Sequence, residues 1–72
     1  MENIRWGRRI RAFRRLKMLK QVELAKEMNM SVSILGQIEQ GKRVPSDEQL
    51  EKIASILQIH VEELKGETKE GE

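Results

Sequence analysis

Two short amphipathic helices joined by a tight corner are predicted within residues 20–40, and this segment constrains the fold of the chain most. In the first helix, predicted at 21–28, Leu24 and Met28 repeat at the i, i+4 spacing of one helix face. Asn29 follows it and tolerates the left-handed backbone that ends many helices. The spacing therefore predicts a sharp stop before a second helix.

The second helix, predicted at 32–39, differs from an ordinary surface helix because its outward face is poor in charge. Ser31 is a good N-cap for it, and Leu35 and Ile38 form an inward stripe at i, i+3. The outward residues are small or neutral, and several can hydrogen-bond: Val32, Ser33, Gly36, Gln37 and Gln40. Such a face suits contact with base edges in the major groove of double-stranded DNA.

The rest of the chain predicts three further helices and no strand. A first helix at 4–18 has an apolar side made of Trp6, Ile10, Phe13 and Leu16, with Met18 or Leu19. Ser46 and Gln49 have the spacing of a capping box at the start of a fourth helix, whose buried stripe is Leu50, Ile53, Ala54 and Leu57. A short last helix is expected at 61–65. The fold class is therefore all-α, with five helices.

The composition fits one small domain, predicted at 1–65, followed by a disordered acidic tail at 66–72. The chain has no cysteine and one histidine, His60, so we expect no disulfide, metal or cofactor. No apolar run is long enough for a membrane span and no signal peptide is evident, which predicts a cytoplasmic protein. No nucleophile–base arrangement or phosphate loop is present, so we expect no enzymatic activity.

Charge is distributed unevenly along the chain. Residues 1–43 hold 11 basic and 4 acidic residues, a net +7, whereas residues 44–72 hold 3 basic and 8 acidic residues, a net −5. The predicted first helix alone carries seven basic residues on its polar face. This asymmetry favours a molecule that approaches a polyanion in one orientation, although a merely solvated face could account for about half of these arginines.

The segment from about Trp6 to Leu64 resembles the lambda-repressor-like family of helix-turn-helix DNA-binding domains. This family is also described as the Cro/repressor or xenobiotic-response-element type. The residues that carry the resemblance agree in order and spacing: Gln21, Leu24, Ala25, Ser31, Gln37, Ile38 and Glu39, then Gly41, Lys42, Pro45 and Ser46. The resemblance implies a compact five-helix domain that binds double-stranded DNA in a sequence-specific manner and acts as a transcriptional repressor. It also implies that two copies occupy half-sites about 10 base pairs apart.

Site residues follow from the residue chemistry and the resemblance together. We expect base contacts from Val32, Ser33, Gly36 and Gln37, among which only Gln37 can bond adenine through a side-chain amide. We expect contacts with the DNA backbone from Lys20, Gln21, Ser31, Gln40, Lys42, Arg43 and Arg14. In the resembled family, a glutamine at the position of Gln21 also braces the side chain at the position of Gln37.

Some positions have a structural role or depart from the family pattern. The resemblance implies a salt bridge between Arg14 and Glu39. Lys20 stands where the family usually has a Thr or Ser cap, and Met18 and Gln58 stand where it often has Gly.

Two alternatives stay open at this stage. Ile59, Val61 and Leu64 could form a homodimer seam or simply complete the core of the monomer. The outward face of the second predicted helix could instead bind a protein partner, such as another regulator or the transcription machinery.

Overall fold

The structure is a computed structural model that describes residues 2–66, with side chains from Trp6 onward. Five helices make up this range: α1 (Glu2–Leu16), α2 (Gln21–Glu27), α3 (Val32–Glu39), α4 (Asp47–Leu57) and α5 (Val61–Lys65). The all-α prediction is confirmed; α2, α3 and α5 lie within a residue of their predicted positions, and α4 begins directly after its predicted cap, Ser46. Apart from Gly66, the tail predicted to be disordered lies outside the described residues. None of the described helices is long and apolar enough to cross a membrane.

The core takes its side chains from one face of every helix. Eight large side chains have no exposed surface: Ile10, Leu24, Leu35, Ile38, Leu50, Ile53, Leu57 and Leu64. The inward stripes predicted for α3 and α4 are therefore confirmed. Burial of these side chains from water is the main favourable contribution to folding of a domain this small.

The prediction of an apolar side for the first helix is wrong at the C-terminal end of that helix. Leu16 is 71% exposed and Met18 is 88% exposed, while Leu19 packs against the core. The inward position of the last turn of α1 is taken by Arg14, four residues after Ile10 on the same helix face. Leu16 lies two residues further on, and two residues correspond to about half a turn, so its side chain points to solvent.

The α1–α2 corner and the α4–α5 corner use left-handed backbone without glycine. Met18 has φ 63° and Gln58 has φ 61°, at the two positions where the resemblance implies Gly, and Asn29 has φ 57° at the predicted stop after α2. For residues other than Gly this conformation is uncommon, although Asn tolerates it well. The corners thus keep the geometry implied by the family and differ from it in residue type.

Side-chain caps set the beginnings of α2, α3 and α4. The Ser31 Oγ accepts from the Ile34 N–H at 3.1 Å, and Ser46 and Gln49 form the predicted reciprocal capping box. At α2 the ammonium of Lys20 has no lone pair with which to accept, and the Glu23 carboxylate instead accepts from the Lys20 N–H at 2.7 Å. Glu23 therefore compensates in part for the missing Thr or Ser cap.

Gly7 allows α1 to pack directly on the C-terminal end of α3. A Cβ at position 7 would collide with the Ile38 carbonyl oxygen and would lie 2.8 Å from the Glu39 carbonyl oxygen. Both neighbours are backbone atoms, which cannot move aside as a flexible side chain can. This close approach brings the arginines of α1 beside α3.

Candidate nucleic-acid interface

The outward face of α3 is neutral, although it belongs to the basic half of the chain. Val32 is 42% exposed, Ser33 and Gln40 are exposed, and Gly36 and Gln37 are half-buried. All five residues predicted to face outward therefore reach the surface, opposite the buried Leu35 and Ile38. This face offers small apolar groups, one hydroxyl and two amides, and it carries no charged side chain.

Beneath this face, a buried ion pair joins α1 to α3. The Arg14 Nε donates to Glu39 Oε2 at 2.7 Å, and Nη2 donates to Oε1 at 3.1 Å. The Arg14 Nη1 donates to the Leu19 carbonyl oxygen at 2.8 Å, which also ties the α1–α2 corner to the pair. Bidentate geometry of this kind fixes direction as well as distance, so the pair determines how α3 is oriented against α1.

The structure corrects one of the two roles expected of Arg14. This residue is only 8% exposed, and each of its three guanidinium nitrogens donates to Glu39 or Leu19. A phosphate would have to displace those partners from a buried site. Arg14 is therefore a structural residue, and we withdraw the expected contact with the DNA backbone.

The expected contact of Gln21 with Gln37 is also wrong. The Gln21 Nε2 donates to Glu39 Oε1 at 3.1 Å, so Gln21 braces the buried carboxylate. The Gln37 Oε1 accepts instead from the Arg43 Nε, at 3.3 Å. An ideal Cβ at position 36 would lie 3.7 Å from the Gln21 Nε2, an ordinary van der Waals contact, so Gly36 is not required for the position of the Gln21 amide.

Several of the residues expected to contact the DNA backbone surround the outward face of α3. Lys20, Ser31, Lys42 and Arg43 are exposed, and Gln21 is half-buried at the start of α2. Gly41, with φ 80°, turns the chain after α3, and the Lys42 N–H then donates to the Gln37 carbonyl oxygen at 2.8 Å. This bond holds the basic connector beside the C-terminal end of α3.

On its other side, α3 borders a cleft of about 470 Å³ against α1. The cleft is lined by Arg8, Arg11, Arg14, Gln21, Gly36, Glu39 and Gln40. Arg8 and Arg11 are exposed and were not singled out from the sequence. A signal for them existed, since Arg8, Arg11 and Arg14 follow one another at i, i+3 spacing, and the pairing of Arg14 with Glu39 identifies the side of α1 that faces α3.

The three residues proposed for a dimer seam differ in exposure. Leu64 has no exposed surface and belongs to the core of the monomer, so it is not available to a partner. Ile59 and Val61 are half-buried and border a shallow groove between α4 and α5. The groove also contains acidic and polar side chains: Glu51, Ser55, His60 and Glu62.

The fold and this face define a helix-turn-helix domain, in which α2 and α3 are the two helices of the motif. The helix-turn-helix family profile matches residues 10–64 of the chain. The uncharacterized HTH-type transcriptional regulator YazB of Bacillus subtilis (strain 168) is 52% identical over 64 residues, which cover 89% of this chain and 93% of that protein.

Two further comparisons agree with this assignment. The immunity repressor protein of Bacillus phage phi105 is 43% identical over 61 residues, 85% of this chain, and the match spans 42% of that repressor's length. The crystal structure of the restriction-modification controller protein C.AhdI from Aeromonas hydrophila matches with a TM-score of 0.79 and 34% identity, covering 85% of this chain and 92% of that one. The chain therefore belongs to the Cro/repressor-type helix-turn-helix family.

Proposed function

We propose that this protein represses transcription by binding a specific double-stranded DNA sequence with α3 in the major groove. Its family is one of DNA-binding regulators and is not an enzyme family. The observation that carries the proposal is the neutral, hydrogen-bonding face of α3 between basic residues on both sides. A neutral face can approach base edges, while flanking cations neutralise the phosphates that border the groove.

Gln37 is the principal base-reading residue in this proposal. Its amide can make two hydrogen bonds to an adenine, whereas Val32 and Ser33 offer only a methyl contact and one hydroxyl. In the free protein, Arg43 donates to the Gln37 Oε1, so the two side chains restrain each other before DNA arrives. On DNA, Arg43 would move to a phosphate, and Gln37 would then be released to a base.

The proposal includes a homodimer, because two copies can read two half-sites about one helical turn apart. Ile59 and Val61 are the remaining candidates for its seam, since Leu64 lies inside the monomer. A repressor of this kind would act in the cytoplasm, where the DNA of a prokaryotic cell or an infecting phage lies. The alternative is a module that binds a protein through an apolar face of α3 made of Val32, Ile34 and Gly36. This alternative loses support because Ile34 packs partly against the core.

A salt titration of binding to a random-sequence duplex tests the proposal. Affinity should fall steeply as salt rises, with a log–log slope of about −0.9 for each phosphate neutralised. Arg43→Ala should weaken binding to every duplex alike and reduce the slope by about 1. Lys52→Ala removes the same charge from the exposed side of α4 and is the matched control, with little expected effect.

One outcome of this titration would contradict the function, and another would contradict the role of Arg43. Absence of affinity for random duplex even at low salt would contradict DNA binding and favour the protein-interaction module. A selective loss at one sequence in Arg43→Ala would show that Arg43 reads bases and does not contact the backbone.

A further inference from the structure

The cleft between α1 and α3 has the chemistry of an anion site. Arg8 and Arg11 lie one helical turn apart on α1 and both line it with exposed guanidinium groups. The floor holds one carboxylate, Glu39, but its side chain is only 2% exposed and is bonded to Arg14 and Gln21. An incoming anion would therefore meet two available cations above a carboxylate that is already neutralised.

Those two arginines are not explained by the structure of the protein itself. Among the described residues, neither Arg8 nor Arg11 forms a salt bridge, and like charges three residues apart on a helix repel each other. The cation that supports the fold at this place is Arg14, which is buried and paired with Glu39. Arg8 and Arg11 thus hold charge at the mouth of the cleft without a salt-bridge partner in the part of the chain that the structure describes.

The position of the cleft identifies the anion. Gly36 and Gln40 line it from α3, at i, i+4 spacing, and they belong to the same outward face that carries Val32 and Gln37. Gln21 lines it from the first turn of α2. A ligand in the cleft would therefore lie beside whatever α3 contacts, and in the proposed complex that is a DNA strand bordering the major groove.

We infer that Arg8 and Arg11 clamp one backbone phosphate of the DNA strand on the α1 side of α3. The inference rests on the proposed function and adds to it a second set of cations, because Lys42 and Arg43 lie on the opposite side, next to Gln37. With both sides occupied, α3 is held between the two phosphate backbones that border the major groove. The clamp positions α3 and carries no sequence information of its own.

The test is the double variant R8Q/R11Q, compared with R9Q/R15Q as a matched control. Both doubles remove two exposed charges from α1, but Arg9 and Arg15 do not line the cleft, and Arg9 lies next to Gly66 at the end of α5. We expect R8Q/R11Q to bind all duplexes about tenfold more weakly and to reduce the salt slope by about 0.9, the value for one phosphate. The control should change both quantities by less than half as much.

Single methylphosphonate substitutions along a bound duplex locate the phosphate. At one position, loss of the phosphate charge should weaken DNA binding by the wild-type protein about as much as the R8Q/R11Q substitutions do. The same loss should not weaken DNA binding by R8Q/R11Q any further. Inorganic phosphate, added at constant ionic strength, should release no more DNA than chloride does. If inorganic phosphate released more DNA than chloride does, and this release required Arg11, the ligand of the cleft would be a free anion and the clamp would be wrong.

The possible failures are distinguishable. If the wild-type protein binds duplex but R8Q/R11Q and R9Q/R15Q behave alike, the clamp is wrong and the proposed function stands. If the wild-type protein binds no duplex, both are wrong. Circular dichroism of each variant checks that the helices are intact, as expected for substitutions at exposed positions.

Discussion

The two sides of α3 are built in opposite ways. On the inner side, Leu35 and Ile38 have no exposed surface, and Glu39 accepts hydrogen bonds from both Arg14 and Gln21. On the outer side, the side chains are short or neutral, and within residues 6–66 the amide of Gln37 makes a single side-chain hydrogen bond, accepted from the exposed Arg43 at 3.3 Å. The position of the helix is thus strongly determined, whereas its outer side offers few groups for direct contact with bases.

This contrast indicates how affinity and specificity are divided. In the proposed complex, the inner side would place α3, the cations beside it would supply affinity for any duplex, and a small set of outer side chains would supply discrimination. Where base contacts are few, sequence-dependent DNA shape contributes a larger share of specificity. Substitutions on the inner side should therefore change stability, and those on the outer side should change sequence preference.

The largest effect is expected from Glu39→Ala on the inner side. It leaves the buried guanidinium of Arg14 without its carboxylate, which typically costs about 3–5 kcal/mol. Urea unfolding followed by circular dichroism measures this change in the free energy of unfolding. Gln40→Ala, the adjacent exposed position, is the control and should stay within about 0.5 kcal/mol. A loss below about 1 kcal/mol for Glu39→Ala would show that the pair does not determine the position of α3.

A pair of glycine substitutions tests the two sides with the same chemical change. Gly7→Ala forces a methyl group against the backbone carbonyls at the end of α3 and should destabilise the fold by about 1–3 kcal/mol. Gly36→Ala meets only the Gln21 amide at 3.7 Å and should stabilise the helix by up to about 1 kcal/mol. Thermal and urea unfolding of both variants checks these signs.

The same pair also tests how closely α3 approaches DNA. If Gly36 is present because DNA comes close to the backbone there, Gly36→Ala should bind more weakly although it is more stable. Equal destabilisation by both substitutions would contradict the difference in packing between the two sides of the molecule.

The smallest effect on stability is expected from Gln37→Ala on the outer side. Loss of one amide that contacts a base should cost about 1–3 kcal/mol in binding the preferred sequence, with binding to random duplex unchanged. Gln40→Ala removes the same amide one turn away and, as a backbone contact, should weaken all sequences equally. Fluorescence anisotropy with preferred and random duplexes separates these outcomes. A uniform loss in Gln37→Ala would mean that another residue reads the DNA.

The helices of this domain were predictable because periodicity determines which face of a helix is buried. The stripes of α3 and α4, the Ser46–Gln49 capping box and the stop at Asn29 all follow from local spacing. Leu16 was misplaced, and Leu64 stayed open between core and seam, because the choice between core, seam and solvent depends on which helix packs opposite. Hydrophobicity alone does not identify that neighbour.

The polar contacts were harder to predict for the same reason. The sequence indicates that Gln21 and Gln37 can hydrogen-bond, but their partners, Glu39 and Arg43, are determined by the packing of α1, α2 and α3 together. The sequence does not distinguish Arg8 and Arg11 from the other arginines of α1. The close approach of α1 to α3 at Gly7 determines which of these arginines face α3.

The claim that the outer face of α3 binds duplex DNA can be tested by an NMR titration of the labelled protein with a short duplex. The largest changes in amide chemical shift should fall on residues 32–37, the start of α2 and the connector at 42–43, with smaller changes along the cleft side of α1. The amides of α4 and α5 should move little. Changes concentrated on α4 and α5, with α3 unaffected at saturation, would contradict the claim.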